Sequence, residues 1–123
     1  MKIAINDNRR ILSIQEEFNS VYPYLKLEFF SMPHRYSCDF SKKMLKHNSN
    51  MLANCRIIHN KGDLEIQPLM SVQELEKIFL DEYGLGVQVF RKSGSVWLET
   101  TVTDSWTLDE QNRQGESLSR AIA

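Results

Sequence analysis

Four residues of the chain have the side chains and the spacing of a metal site. His34 precedes Cys38 by four positions and Cys55 precedes His59 by four positions, so the two pairs mirror each other. Imidazole and thiolate are ligands that zinc prefers. An extended segment would hold Cys55 and His59 roughly 13 Å apart, which is too far for both side chains to bind one ion. A zinc site would therefore require a helical turn at either pair. The sequence therefore favours half-buried thiols and surface histidines, and we expect no metal and no cofactor.

A nucleophilic site is the second chemistry that these residue types suggest. It would need a Cys or Ser beside a His that a carboxylate orients, together with a donor for the developing oxyanion. His34, Cys38 and Asp39 are close in sequence. Closeness in sequence does not place their side chains in the geometry of a catalytic triad. We expect no catalytic residue, and a small enzyme or zinc protein using the His34, Cys38, Cys55 and His59 cluster stays the alternative to a binding protein.

Five residues are the candidates for contact with a ligand. Arg9 and Arg10 come just before or within the first turn of an expected helix, where free backbone N–H groups favour an anion. Arg91 belongs to a small basic spot beside a Ser-Gly turn, Trp97 is an aromatic residue on a predicted strand, and Trp106 is positioned to anchor the C-terminal tail.

Aromatic residues on predicted strands raise the possibility of a single-stranded nucleic-acid binder. Phe29, Phe30, Phe90 and Trp97 could stack on bases. However, Lys and Arg number 15 against 16 Asp and Glu, a formal net charge of -1, which provides no general attraction for phosphates. Nucleic acid is therefore the second alternative, and most of these rings are expected in the core.

Length and composition indicate one globular domain spanning residues 1–123. The chain is 41% hydrophobic and 25% charged, which are ordinary globular values. The first residues turn polar after three apolar positions, and no run approaches the length of a membrane span. These features predict a cytoplasmic protein without a membrane contact, in which Cys38 and Cys55 remain reduced.

The first half of the chain predicts a strand, a helix and a second strand. Apolar residues alternate over residues 2–6, recur at helical spacing over residues 8–22 up to Pro23, and alternate again over residues 25–30. Residues 31–56 follow as an inserted segment with a weaker pattern, a length at which loops are often functional or mobile. The stretch from Cys55 to Pro68 fits either a hairpin or a loop that feeds one strand.

The second half repeats this order with clearer signals. Ser71 and Glu74 have the spacing of a capping box, and Gly84 supplies the left-handed stop of the helix they begin. Two strands follow over residues 87–92 and 95–103, joined at Ser93-Gly94. Residues 104–123 then form a helical tail with a thin apolar stripe, which docks either on its own chain or on a partner.

The two strand-helix-strand halves predict an α+β fold. The architecture is similar to a ferredoxin-like two-layer sandwich, with a mostly antiparallel shared sheet, helices on one face and the C-terminal tail added. Because that architecture serves many unrelated functions, it implies none. The residues favour a non-enzymatic binding or protein-interaction module, expected to be a homodimer, with another protein as a further candidate partner.

Overall fold

The computed structural model describes residues 1–31, 43–44 and 50–122. It contains ten elements: β1 (Lys2–Ile5), α1 (Ile11–Val21), β2 (Leu25–Ser31), β3 (Lys43–Met44), a 3-10 turn (Leu52–Asn54), β4 (Gly62–Glu65), α2 (Val72–Tyr83), β5 (Gly86–Ser93), β6 (Val96–Glu99) and α3 (Leu108–Ile122). The α+β class is confirmed. None of the helices in the described ranges has the length and apolar character needed to cross a membrane.

The described strands form two antiparallel sheets. The larger sheet has the order β3-β2-β5-β6, and the smaller sheet consists of β1 and β4. In the larger sheet, Leu25 lies opposite Arg91 and Arg91 lies opposite Leu98. In the smaller sheet, Ile3 lies opposite Leu64.

This pairing differs from the single shared sheet expected from the two halves. The reason lies beside β2, where a neighbouring strand would otherwise pair. Two side chains of α1 occupy that position, because the amide of Gln15 donates to the carbonyl oxygen of Leu27 at 2.8 Å and the amide of Asn19 donates to that of Leu25 at 2.8 Å. The helix therefore supplies hydrogen bonds that a strand would have made.

The core lies between the helices and the inward face of the larger sheet. Phe29 of β2 meets Phe79 of α2 edge to face, with ring centroids 6.0 Å apart. One continuous cluster of buried apolar side chains also includes Ile14 and Phe18 of α1 and Val89 of β5. These side chains pack helices and sheet against one another.

Helix α2 begins and ends where the local sequence predicts. The hydroxyl of Ser71 accepts a hydrogen bond from the backbone N–H of Glu74 at 3.1 Å, and the Glu74 carboxylate accepts one from the Ser71 N–H at 3.4 Å. Gly84 then adopts φ 63°, the left-handed conformation that a C-cap requires. The capping box and the glycine stop are both confirmed.

Helix α1 is shorter than expected at its first end. It begins at Ile11, with Arg10 as its N-cap, because the preceding residues form a turn in which Asn6 accepts from the N–H groups of Asn8 and Arg9. Between the 3-10 turn and α2, the chain forms one strand, so the loop-and-strand alternative is correct for the segment from Cys55 to Pro68.

The C-terminal tail docks on its own chain. Helix α3 packs mainly against β5 and also against β2. Leu108 and Gln111 are fully buried, and the side-chain oxygen of Asn112 accepts a hydrogen bond from the Tyr24 N–H at 2.9 Å. At Gly115 the helix approaches Tyr24 so closely that a Cβ would lie 2.8 Å from the Tyr24 Cβ. The apolar side of the tail therefore has a partner within the chain.

Candidate functional site

The outward side of the larger sheet carries aromatic and charged residues together. Side chains alternate between the two faces of a strand, and the strand register brings eight outward residues onto one surface, which we call the open face. All eight are partly or largely exposed: Lys26, Glu28, Phe30, Gln88, Phe90, Lys92, Trp97 and Glu99. Of the four predicted strand aromatics, only Phe29 lies in the core.

Lys26 lies at the centre of the open face. Its Nζ atom is 5.5 Å from the ring centroid of Phe90 and 5.1 Å from that of Trp97, and it forms an ion pair with Glu28 at 3.2 Å. A cation over an aromatic ring is attracted by the ring quadrupole. Lys26 therefore holds the Trp97 ring against the sheet.

A shallow groove of about 260 Å³ runs between the open face and helix α1. Lys26, Glu28 and Trp97 line one side, and Gln15 and Asn19 of α1 line the other. Because the amide nitrogens of both α1 residues already donate to β2, the groove wall is fixed in position.

Strand β6 forms the outer edge of the larger sheet. Among the described residues it pairs only with β5. The N–H of Thr100 donates to the Val89 carbonyl at 3.3 Å, and hydrogen-bonding direction alternates along an antiparallel strand. The backbone groups of Val96 and Leu98 therefore point to β5, whereas those of Trp97 and Glu99 point to the free edge.

The outer edge strand β6 carries exposed apolar side chains. Val96 is 52% exposed and Leu98 is 45% exposed, on the opposite face from Trp97. Soluble proteins usually guard such an edge with charged side chains, proline, a bulge or a short strand; β6 is four residues long and contains neither lysine nor proline, and Glu99 is its one charged residue. Within residues 1–31, 43–44 and 50–122, no second strand pairs with β6, so in this part of the chain the edge is open to another strand.

Arg91 and Trp106, two of the predicted ligand-binding residues, lie together beneath α3. The guanidinium carbon of Arg91 is 5.6 Å from the Trp106 ring centroid, and its Nη1 donates to Gln111 at 2.9 Å. These contacts join the sheet to the tail helix. They hold α3 against the sheet. Of the predicted residues Arg91, Trp97 and Trp106, Trp97 alone lies on the open face.

The structure separates Arg9 from Arg10. The Nη1 of Arg9 donates to the Ala4 carbonyl at 3.1 Å, and its Nη2 forms an ion pair with Glu17. The exposed Arg10 is the N-cap residue of α1 and makes an isolated bridge to Met51. Arg9 thus contributes to the packing of α1.

An ion pair that the sequence analysis missed joins the buried Arg56 to the partly exposed Asp7, beside His59. The side chain of Arg56 is fully buried; its Nε donates to the Asp7 Oδ1 at 3.1 Å, and its Nη1 donates to the Tyr83 carbonyl at 3.1 Å. The other oxygen of Asp7 lies 2.9 Å from the His59 Nδ1. The hydrogen bond with His59 and the charge of Arg56 lower the pKa of Asp7, against the opposing effect of burial. A signal for Arg56 was present, since it interrupts the otherwise apolar run from Cys55 to Ile58.

The four-residue cluster considered for zinc is only partly described. His34 and Cys38 lie outside the described residues. The Cys55 thiol donates to the Met51 carbonyl at 3.3 Å, and burial raises the pKa of Cys55, so it is held in the less reactive thiol form. Within residues 1–31, 43–44 and 50–122, no group of three or more His, Cys, Asp or Glu side chains could hold a metal ion.

Comparison with protein-family models, curated proteins and solved structures found no match to this chain.

Proposed function

We propose that this protein is a non-enzymatic interaction module that binds an extended partner strand along the free edge of β6. The observation that carries the proposal is the outward direction of the Trp97 and Glu99 backbone groups. Addition of a strand to a sheet edge gives affinity through main-chain hydrogen bonds and specificity through alternate side chains. Both are available at β6, because Val96 and Leu98 offer exposed apolar surface on one face and Trp97 lies on the other.

The charges of the open face favour a protein partner over nucleic acid. Lys26 and Lys92 share that face with Glu28 and Glu99, so the positive charges are balanced. A phosphate chain needs a net positive track. The aromatic rings of the open face are therefore better suited to binding a peptide than a nucleic acid.

Catalysis has weaker support. The carboxylate of Asp7 faces the His59 ring in the manner of an oriented base, but the same carboxylate neutralises the buried guanidinium of Arg56. A structural role accounts for both contacts, because a buried charge requires a counterion.

For the fold, we infer the ferredoxin-like arrangement as a hypothesis about the order of the elements. Antiparallel pairing of the first strand with the strand before the second helix belongs to that arrangement, and β1 pairs with β4 in this way. Two features depart from that arrangement: α1 lies beside β2, and β2 pairs with β5, the strand after the second helix, instead of with β4.

The proposal is tested by selecting random nine-residue peptides from a phage library on immobilised protein. We expect enrichment of peptides with alternating apolar residues. Replacement of Glu99 by proline removes an N–H that points to the free edge and is compatible with an edge strand, so Glu99→Pro should abolish the enrichment. Thr101→Pro, just beyond β6, is the matched control and should retain it.

Two results would contradict the proposed function. One is the absence of any enriched peptide on wild-type protein that is immobilised as a monomer, with the edge of β6 unoccupied. The other is equal enrichment on wild-type protein and on Glu99→Pro with its circular dichroism spectrum unchanged, because binding would then occur elsewhere on the molecule.

A further inference from the structure

The free edge of β6 is complementary to itself. We propose that the partner strand is β6 of a second copy of this chain, paired antiparallel about a twofold axis at Trp97. This inference rests on the proposed function, and it adds the identity of the partner and the register of the contact.

The faces of the sheet limit the registers that are allowed. In an antiparallel pair, residues directly opposite each other point to the same face. Val96 and Leu98 share one face of β6, and Trp97 and Glu99 share the other. A twofold axis perpendicular to the joined sheets must therefore pass through the position of one residue, and the centre of the strand offers Trp97 or Leu98.

The axis at Trp97 places similar side chains opposite each other. Trp97 meets Trp97 of the second copy, and Val96 meets Leu98 of the second copy twice. Aromatic and apolar pairs directly opposite each other on neighbouring strands stabilise a sheet. Because the backbone groups of Trp97 point to the free edge, the two tryptophans also exchange both of their hydrogen bonds.

A twofold axis at Leu98 would place less complementary side chains opposite each other. It places each Trp97 opposite the carboxylate of Glu99 and each Val96 opposite Thr100. The Thr100 side chain is only 2% exposed and its hydroxyl already donates to the Val89 carbonyl at 2.9 Å, so it offers Val96 little surface. The register centred on Trp97 is therefore the better fit.

The charges of the open face also match in this register. With roughly 3.4 Å per residue and roughly 4.8 Å between strands, Glu99 lies about 12 Å from Lys92 of the second copy and about 14 Å from its Glu99. Cα positions at that separation are within reach of two long side chains that lean toward each other. The closest charges across the contact are then opposite in sign.

Self-association is tested first by sedimentation equilibrium of the full chain over a range of concentrations. We expect a monomer-dimer equilibrium that Leu98→Lys and Glu99→Pro each weaken at least tenfold. Val102→Lys is the matched control, because Val102 is 97% exposed and lies outside β6, and it should leave the equilibrium unchanged.

The register is tested by disulfide formation between copies. Val96 and Leu98 of opposite copies form a non-hydrogen-bonded pair, whose Cα atoms lie about 4.5 Å apart, within the range of a disulfide. An oxidised mixture of Val96→Cys and Leu98→Cys proteins should therefore contain a 96–98 disulfide, identified by peptide mass so that Cys38 and Cys55 do not confuse the assignment. Leu98→Cys alone should give no 98–98 disulfide.

The outcomes separate this inference from the proposed function. A 98–98 disulfide, or a dimer that is insensitive to Leu98→Lys and Glu99→Pro, would overturn the proposed register. A chain that stays monomeric, yet enriches peptides in a way that Glu99→Pro abolishes, would overturn the second copy as partner and leave the interaction module in place. A monomeric chain that enriches no peptide would overturn both.

Discussion

Replacement of Gly115 by alanine tests how closely α3 lies against its own sheet. Within a helix, alanine is more favourable than glycine by about 1 kcal/mol, so an exposed site would gain stability from this change. At Gly115 the new Cβ would lie 2.8 Å from the Cβ of Tyr24, 3.1 Å from its carbonyl oxygen and 3.2 Å from the Cγ of Arg91. The contact is tighter than a methyl group tolerates.

The expected size of the effect follows from what can move. The Cβ and carbonyl of Tyr24 belong to or adjoin the backbone, so a side-chain rotation cannot relieve the overlap. Helix α3 must shift instead, which strains the hydrogen bonds of Asn112 to Tyr24 and of Arg91 to Gln111. Overpacking of this kind costs typically about 1–3 kcal/mol, and after the gain in helix propensity we expect a net loss of about 1 kcal/mol.

Urea unfolding followed by circular dichroism measures this loss. Gln114→Ala, at the exposed neighbouring position of the same helix, is the control and should change the free energy of unfolding by less than about 0.5 kcal/mol. A Gly115→Ala protein that is more stable than wild type by about 1 kcal/mol would refute the close docking of α3, because it would show glycine in an open helix position.

Two further predictions concern the ion pair between Arg56 and Asp7. Arg56→Met removes the buried guanidinium that donates to Asp7 and to the Tyr83 carbonyl and should lower the free energy of unfolding in urea, whereas Arg113→Met, at an exposed pair with Asp109, should cost less than about 1 kcal/mol; equal losses would contradict the structural role of Arg56. Since the pKa of Asp7 is lowered in the folded state, its contribution is present above about pH 4 and is lost as the pH falls through the lowered pKa. The stability difference between wild type and Asp7→Asn, measured in urea from pH 7 to pH 2, should therefore shrink in acid, and a constant difference would contradict the pairing.

Helix α2 could be predicted in detail because its signals are local. Ser71 and Glu74 satisfy each other's backbone groups, and Gly84 takes the conformation that ends the helix. In contrast, the strand expected over residues 95–103 ends at Glu99. Both the N–H and the hydroxyl of Thr100 bond to Val89, after which the chain turns away from the sheet, and that contact depends on a strand eleven residues earlier.

The candidate site was only partly visible in the sequence. The exposure of Trp97 follows from its place on a strand, but which strand forms the edge depends on pairing between β2 and β5, some sixty residues apart. Arg91 and Trp106 have the residue types of a ligand site, yet their contacts are set by the docking of α3. Likewise, Asp7 and Arg56 are 49 residues apart, so no local pattern joins them.

The amide groups that α1 places beside β2 have a consequence for stoichiometry. Gln15 and Asn19 bond to the carbonyls of that edge, so within residues 1–31, 43–44 and 50–122 the edge of the larger sheet that is open along its length is that of β6. A twofold contact uses the same edge of both copies and leaves neither available. In the dimer that we propose, assembly through the larger sheet therefore closes at two chains.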